Sequence, residues 1–135
     1  MKRLIFISVL AITLFSISCT KDTGGNADMS TVDFIVQSSD WVEYGTAGEP
    51  GFGYAVDLDF PEITNNVIEN GMVTLYMKIG ESWTSVPFNY FYSDYQGGYF
   101  YSMKFNTLSI DYYESDHQTL NPGTQIFRLV IVQPR

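Results

Sequence analysis

Gly53-Tyr54-Ala55-Val56-Asp57-Leu58-Asp59-Phe60 is the stretch on which the fold turns. Tyr54, Val56, Leu58 and Phe60 are large and apolar, and Ala55, Asp57 and Asp59 stand between them. Side chains of a strand point alternately to its two faces, so a period of two puts the four large residues on one side and both carboxylates on the other. A helical period would scatter the same residues around a cylinder. The stretch therefore predicts a strand with one face in a core and the other in water.

The same alternation recurs on both sides of it. Val32, Phe34 and Val36 alternate with Asp33 and Gln37, and Val73, Leu75, Met77 and Ile79 alternate with Thr74, Tyr76 and Lys78. Tyr99, Tyr101, Met103 and Phe105 form another such run, as do Leu108, Ile110 and Tyr112. Residues 125–133 are apolar on both faces apart from Arg128, the pattern of a strand with neighbours on both sides. Weaker strand patterns lie at 40–44 and 83–92. Gly45, Gly48, Pro50 and Gly51 punctuate one loop, Gly97-Gly98 reads as a tight turn, Asn106-Thr107 joins two strands, and Asn121-Pro122-Gly123 closes a longer loop.

One segment, 61–70, has a helical pattern: Pro61 suits a first turn, Ile63, Val67 and Ile68 share a face, and Gly71 is placed for a left-handed C-cap. About seven or eight short strands with turn signals between them predict an all-β, antiparallel sandwich, with this short helix as a lid over one end.

The chain ahead of the strands reads differently. Lys2 and Arg3 precede a twelve-residue apolar run, Leu4–Phe15, and Ser16-Ile17-Ser18 leads to Cys19. A span of a bilayer needs roughly 20 apolar residues, so this is a signal peptide and not a membrane helix. The single cysteine follows a small residue at the boundary where a lipoprotein signal peptidase cuts, although Ser16 stands where leucine is usual. An ordinary secretory leader cleaved nearby is the alternative. Residues 1–18 are thus read as a lipoprotein signal, 19–30 as a lipidated cysteine and polar tether, and 31–135 as the sandwich. Lys21-Asp22 after the cysteine resembles a surface-export signal, with Thr23 where a second acid is usual.

Composition narrows the function classes. The 135 residues are 45% hydrophobic and 16% aromatic, a globular composition long enough for one core and too short for two. Net charge is −8. Removing Lys2 and Arg3 with the leader takes seven basic residues to five against fifteen acids, a charge of −10. Such a surface has no footprint for nucleic acid and is repelled by anionic lipid, so lipid on Cys19 would supply the membrane attachment.

Trp41, Gly53-Tyr54-Ala55-Val56, the 61–71 segment ending Asn70-Gly71, Met72–Lys78, Val86-Pro87-Phe88 and Phe127-Arg128-Leu129-Val130-Ile131 together resemble small Bacteroidota surface lipoproteins of unknown function. The module is also similar to one found C-terminal to collagen-like stretches in that phylum. The resemblance implies a secreted sandwich and carries no catalytic residues.

The residues themselves offer little chemistry. His117, in the loop Glu114-Ser115-Asp116-His117-Gln118, is the one histidine, and no nucleophile elbow accompanies it. Asp57 and Asp59 are spaced like a glycosidase pair, but alternating outward carboxylates are normally a solvated face. Asp111, Glu114 and Asp116 with Asn121 could supply oxygens to Ca²⁺, yet no calcium-loop pattern is present. No metal, no cofactor and no enzymatic activity are expected.

The surplus is aromatic: ten Tyr, ten Phe and two Trp. Alternation buries Phe34, Tyr54, Phe60, Tyr99, Tyr101, Phe105 and Phe127. Tyr76, Trp83, Tyr90, Tyr92, Tyr95, Phe100 and Tyr113 are harder to bury. Trp83, Tyr90, Tyr92 and Tyr95 are the expected recognition face, since amphipathic rings suit a partner's hot spot or a sugar. The expected function is a non-enzymatic, lipid-anchored outer-membrane binding or accessory module with a protein partner. A small carbohydrate-binding surface lipoprotein is the alternative.

Overall fold

The computed structural model describes residues 27–134. Residues 1–18, read above as a signal peptide, and Cys19 lie outside them.

Among the described residues the chain forms nine strands and one short α-helix: β1 (Ala27–Val36), β2 (Val42–Tyr44), β3 (Gly53–Asp59), α1 (Asn65–Asn70), β4 (Met72–Ile79), β5 (Ser82–Val86), β6 (Phe88–Phe91), β7 (Gln96–Lys104), β8 (Thr107–Glu114) and β9 (Gln125–Pro134). They pair antiparallel in two sheets, one ordered β1-β9-β4-β5 and the other β2-β3-β8-β7-β6. The protein is an all-β sandwich. β9 lies between β1 and β4, as its two-sided apolar sequence predicts. Its charged residue, Arg128, points outward and is paired through two nitrogens with Asp33 at 2.6 and 2.8 Å.

The alternating residues meet between the sheets. Val36, Val73, Leu75, Met77, Val86, Phe127, Leu129 and Ile131 line one wall of the core, and Tyr54, Val56, Tyr99, Leu108, Ile110 and Tyr112 line the other. Burying each Val, Leu, Ile or Phe side chain contributes roughly 1.5–3 kcal/mol. Trp41, 5% exposed, closes one edge of this core, its indole Nε1 donating to the carbonyl of Gly123 at 2.8 Å.

Several boundaries differ from the sequence reading, each for an identifiable reason. β1 starts at Ala27, so 27–30 belong to the sandwich: Ala27–Ser30 pair with residues 131–134 of β9, a partner that composition cannot reveal. The apolar run at 83–92 is two strands in different sheets. Pro87 has no N–H to give to a ladder, and the chain crosses there from β5 to β6. Phe105 is 56% exposed because it sits with Asn106 in the two-residue turn between β7 and β8; Asn106 takes a positive φ of 57° there.

The helix is shorter than its pattern. Thr64 caps it, its Oγ1 accepting from the Val67 N–H at 3.3 Å, and only 65–70 are helical. Ile63 and Val67 are fully buried while Ile68 is 39% exposed, so the buried stripe is narrower than expected. Gly71 is not left-handed but extended, at φ −99° and ψ −169°. A side chain there would lie 2.6 Å from the carbonyl oxygen of Val132, so glycine lets the helix end sit against β9. The lid expectation holds. α1 packs on β4 and β9, and the preceding loop bonds the β7–β8 turn through Phe60 N–H to Asn106 O and Asn106 N–H to Ile63 O, both 2.9 Å.

Gly97-Gly98 is no turn. Both glycines are buried inside β7. A Cβ on Gly97 would collide with the phenol ring of Tyr90, and one on Gly98 with the Asn89 side chain and the Phe100 ring. The pair makes room for rings on both faces of the strand.

Candidate functional site

The end of the sandwich opposite α1 gathers the tyrosines. Tyr90 of β6, Gly97 of β7 and Glu114 of β8 lie in one row across the inward face of the five-stranded sheet. Because Gly97 has no side chain, the Tyr90 ring reaches across it toward β8. Tyr112 donates its proton to Glu114 Oε1 at 2.6 Å, and the Tyr90 hydroxyl, in a short hydrogen bond with that of Tyr112, shares its one proton between the Tyr112 oxygen and Glu114 Oε1, 3.3 Å away.

This network holds its phenols protonated. Burial pushes Tyr90 up to about 12; the Tyr112 hydroxyl opposes the shift and the Glu114 charge adds to it. Burial likewise raises Tyr112, helped by the hydrogen bonds to Glu114 and Tyr90, and raises Tyr99 beneath them. Glu114 acts as an acceptor for two hydroxyls, which fixes the base of the site.

Outside this base the rings become accessible. Tyr92 packs edge-on against Tyr90 at 5.2 Å and lies tilted by 32° against Tyr95 at 4.5 Å, and the Tyr92 N–H donates to the Tyr95 carbonyl at 2.8 Å across the β6–β7 turn. Tyr92 is 55% exposed and its neighbour Phe91 77%. The adjoining loop is tied down: Ser115 exchanges bonds with Gln96 at 2.7 and 2.9 Å, and Thr119 Oγ1 accepts from the Glu114 N–H. Exposed rings thus stand on an ordered base.

Trp83 is not among them. It lies on β5, in the other sheet, half-exposed on the outward face, with the Arg128 guanidinium 4.2 Å above its ring. The structure brings Tyr90, Tyr92 and Tyr95 together and places Trp83 elsewhere. The separation follows from the crossing at Pro87, which a linear reading of 83–95 does not show.

The other candidates have local duties. His117 sits at a positive φ of 60°, and its carbonyl accepts from the Gly48 N–H at 2.7 Å, joining two loops. Asp116 closes its own turn through the Gln118 N–H, and Asn121 bridges Gly123 N–H and the Ser38 carbonyl. Asp111 faces outward while Glu114 faces inward, so the acids of 111–121 do not converge. Among the described residues no group of three or more His, Cys, Asp or Glu is placed to hold a metal ion. Asp57 and Asp59 are exposed on β3, and Asp57 accepts from the Ser109 hydroxyl at 2.5 Å. No helix among the described residues is long and apolar enough to cross a membrane.

No protein-family model matches the chain, and no curated protein or solved structure is significantly similar to it, so the resemblance to surface lipoproteins rests on the quoted residues alone.

Proposed function

We propose that this chain is a non-enzymatic binding module, exported, held at the outer membrane by lipid on Cys19, and engaging a protein partner through its Tyr90–Tyr95 end. The observation that supports it is the packing of exposed Tyr92 against the part-buried Tyr90–Tyr112–Glu114 network, with exposed Phe91 beside it in the chain. A ring already ordered in the free protein loses little conformational entropy on binding, and rigid tyrosines make effective anchors.

The topology favours the same reading. β1 begins at the α1 end, next to the last residues of β9. Seven residues, Thr20–Asn26, separate it from Cys19, a reach of at most roughly 25 Å when fully extended. β7 runs from Gln96 at the tyrosine end to Lys104 at the lid end, about 27 Å of strand. A lipid on Cys19 would hold the lid end toward the membrane and present the tyrosines away from it.

A photo-reactive residue placed at position 92 or at position 83 tests this in intact cells. The expected result is a discrete protein adduct from position 92 and none from position 83, with Cys19→Ala releasing the protein from the membrane fraction. Absence of an adduct at 92 removes the partner reading; retention of Cys19→Ala in the membrane removes the anchor.

A further inference from the structure

The outward face of the five-stranded sheet, to which Phe91 also points, carries a second aromatic arrangement, opposite in side-chain direction to Tyr90 and its network and different in chemistry. Pairing places Tyr44, Gly53, Tyr113, Gly98 and Asn89 in one row across all five strands. The next row holds Val42, Ala55, Asp111 and Phe100, and the one after it Asp57, Ser109 and Ser102.

Large rings alternate here with positions that have almost no side chain. A Cβ on Gly53 would lie 2.6 Å from the Tyr44 hydroxyl, and one on Gly98 would lie 3.0 Å from the Phe100 ring. The glycines therefore let Tyr44 and Phe100 lean over the sheet. Phe100 and Tyr113 stack at 5.3 Å with only 20° between their planes, a near-parallel pair on the surface. Both are half-exposed.

We propose that this face binds a neutral polysaccharide, one pyranose ring resting on the Phe100–Tyr113 pair with Asp111 and Asp57 accepting its hydroxyls. The occupant follows from the chemistry. A pyranose presents an apolar C–H face to an aromatic ring and hydroxyl donors at its edge, and ionised carboxylates only accept. Strands lie about 4.8 Å apart, close to the length of one pyranose residue, so successive sugars meet successive strands. Asp57, Asp59 and Asp111 stand against Lys104 on this face, and the acidic chain as a whole repels anionic polymers.

Asp111 supports the assignment energetically. Partial burial, and then the charge of Asp57, push its carboxyl above the usual range. A carboxylate that is harder to ionise in the fold than in the open chain costs stability at neutral pH. Acids retained at such a cost are characteristic of binding sites.

The full-length protein in detergent, run through native gels containing dextran, laminarin, glucomannan, xyloglucan or galactan, gives the test, with polygalacturonate as the anionic control. Retardation by at least one neutral polymer and none by polygalacturonate is expected. Tyr113→Ala and Asp111→Asn should each weaken it about tenfold, the scale of losing one hot-spot contact. Asp111→Asn should melt no lower than the parent, which separates lost binding from lost folding. Tyr92→Ala should leave retardation intact, since Tyr92 belongs to the protein-partner reading. No retardation by any neutral polymer, or retardation that survives Asp111→Asn combined with Tyr113→Ala, overturns the proposal. Loss with Tyr92→Ala alone would also overturn it by placing the sugar at the other end.

Discussion

The ring of Tyr90 occupies the space that a side chain on Gly97 would fill. The two are directly paired across β6 and β7, and the ring passes over the glycine to reach Tyr112 and Glu114 on β8. β6 is thereby joined by a side chain to β8, across the intervening β7.

Gly97→Ala tests this contact. The added methyl must displace Tyr90 or bend β7, and overpacking of this kind costs about 1–3 kcal/mol. Combining it with Tyr90→Ala should cost less than the two changes summed, because the second empties the space the first needs. Urea unfolding of the four proteins measures both; strict additivity would show that the methyl is accommodated elsewhere.

Alkaline titration should reveal the phenol network. Tyr90 titrates near 12 in the fold and near the ordinary tyrosine value of about 10 in the unfolded chain. With the folded value raised, the unfolded chain binds fewer protons in this window, so stability is full below about pH 10 and falls as pH rises toward 12. Tyr99 and Tyr112, also raised, add to the same slope. Tyrosinate absorbance should therefore appear in two stages, the second coinciding with loss of near-UV circular dichroism. A single stage completed while the fold persists would contradict it.

The two tryptophans should separate cleanly. Trp41→Ala empties a core site and leaves the Gly123 carbonyl without its indole donor, at a cost of about 3–5 kcal/mol. Trp83→Ala removes an outward ring that holds the Arg128 guanidinium over its face, a cation–π contact of about 0.5–1 kcal/mol at an exposed site. Thermal melts of the two variants give the comparison, and equal losses would mean that Trp83 packs more deeply than its position on β5 indicates.

The early start of β1 is also measurable. A fragment beginning at Ala27 should fold and melt like one beginning at Cys19, whereas one beginning at Thr31 loses the four pairs from Ala27 with Pro134 to Ser30 with Ile131. The lost residues are exposed, so the second fragment should still fold. Its amide exchange over 131–134 should be faster by an order of magnitude or more, since frayed segments open with little free energy. Identical exchange in both fragments would place 27–30 outside the sandwich.

Alternation was legible because it is a local consequence of burying one face. Tyr54-Ala55-Val56-Asp57-Leu58 needs no partner to declare which side is dry, and Arg128 stands out because the rest of β9 is apolar on both sides. The helix cap was only partly legible. Gly71 ends α1 as a stop should, but the cap, Thr64, lies inside the 61–70 pattern, and the conformation of Gly71 is set by the closeness of β9, which no residue in 61–71 encodes alone.

Which rings come together is a different kind of information. Trp83 and Tyr90 are close in sequence yet belong to different sheets, because the chain crosses at Pro87. Tyr44 and Tyr113 are far apart in sequence yet share one row, because β2, β3 and β8 pair in register. Gly97-Gly98 shows the limit most plainly. Two glycines read locally as a turn, since glycine most often relieves backbone strain; here they relieve steric crowding from Tyr90 on one face and Phe100 on the other. The sequence by itself determined the period, the sandwich and the acidic, aromatic character of its surface. The tertiary structure decided the faces, because strand order and register are fixed by hydrogen bonds and packing between segments that no local pattern connects.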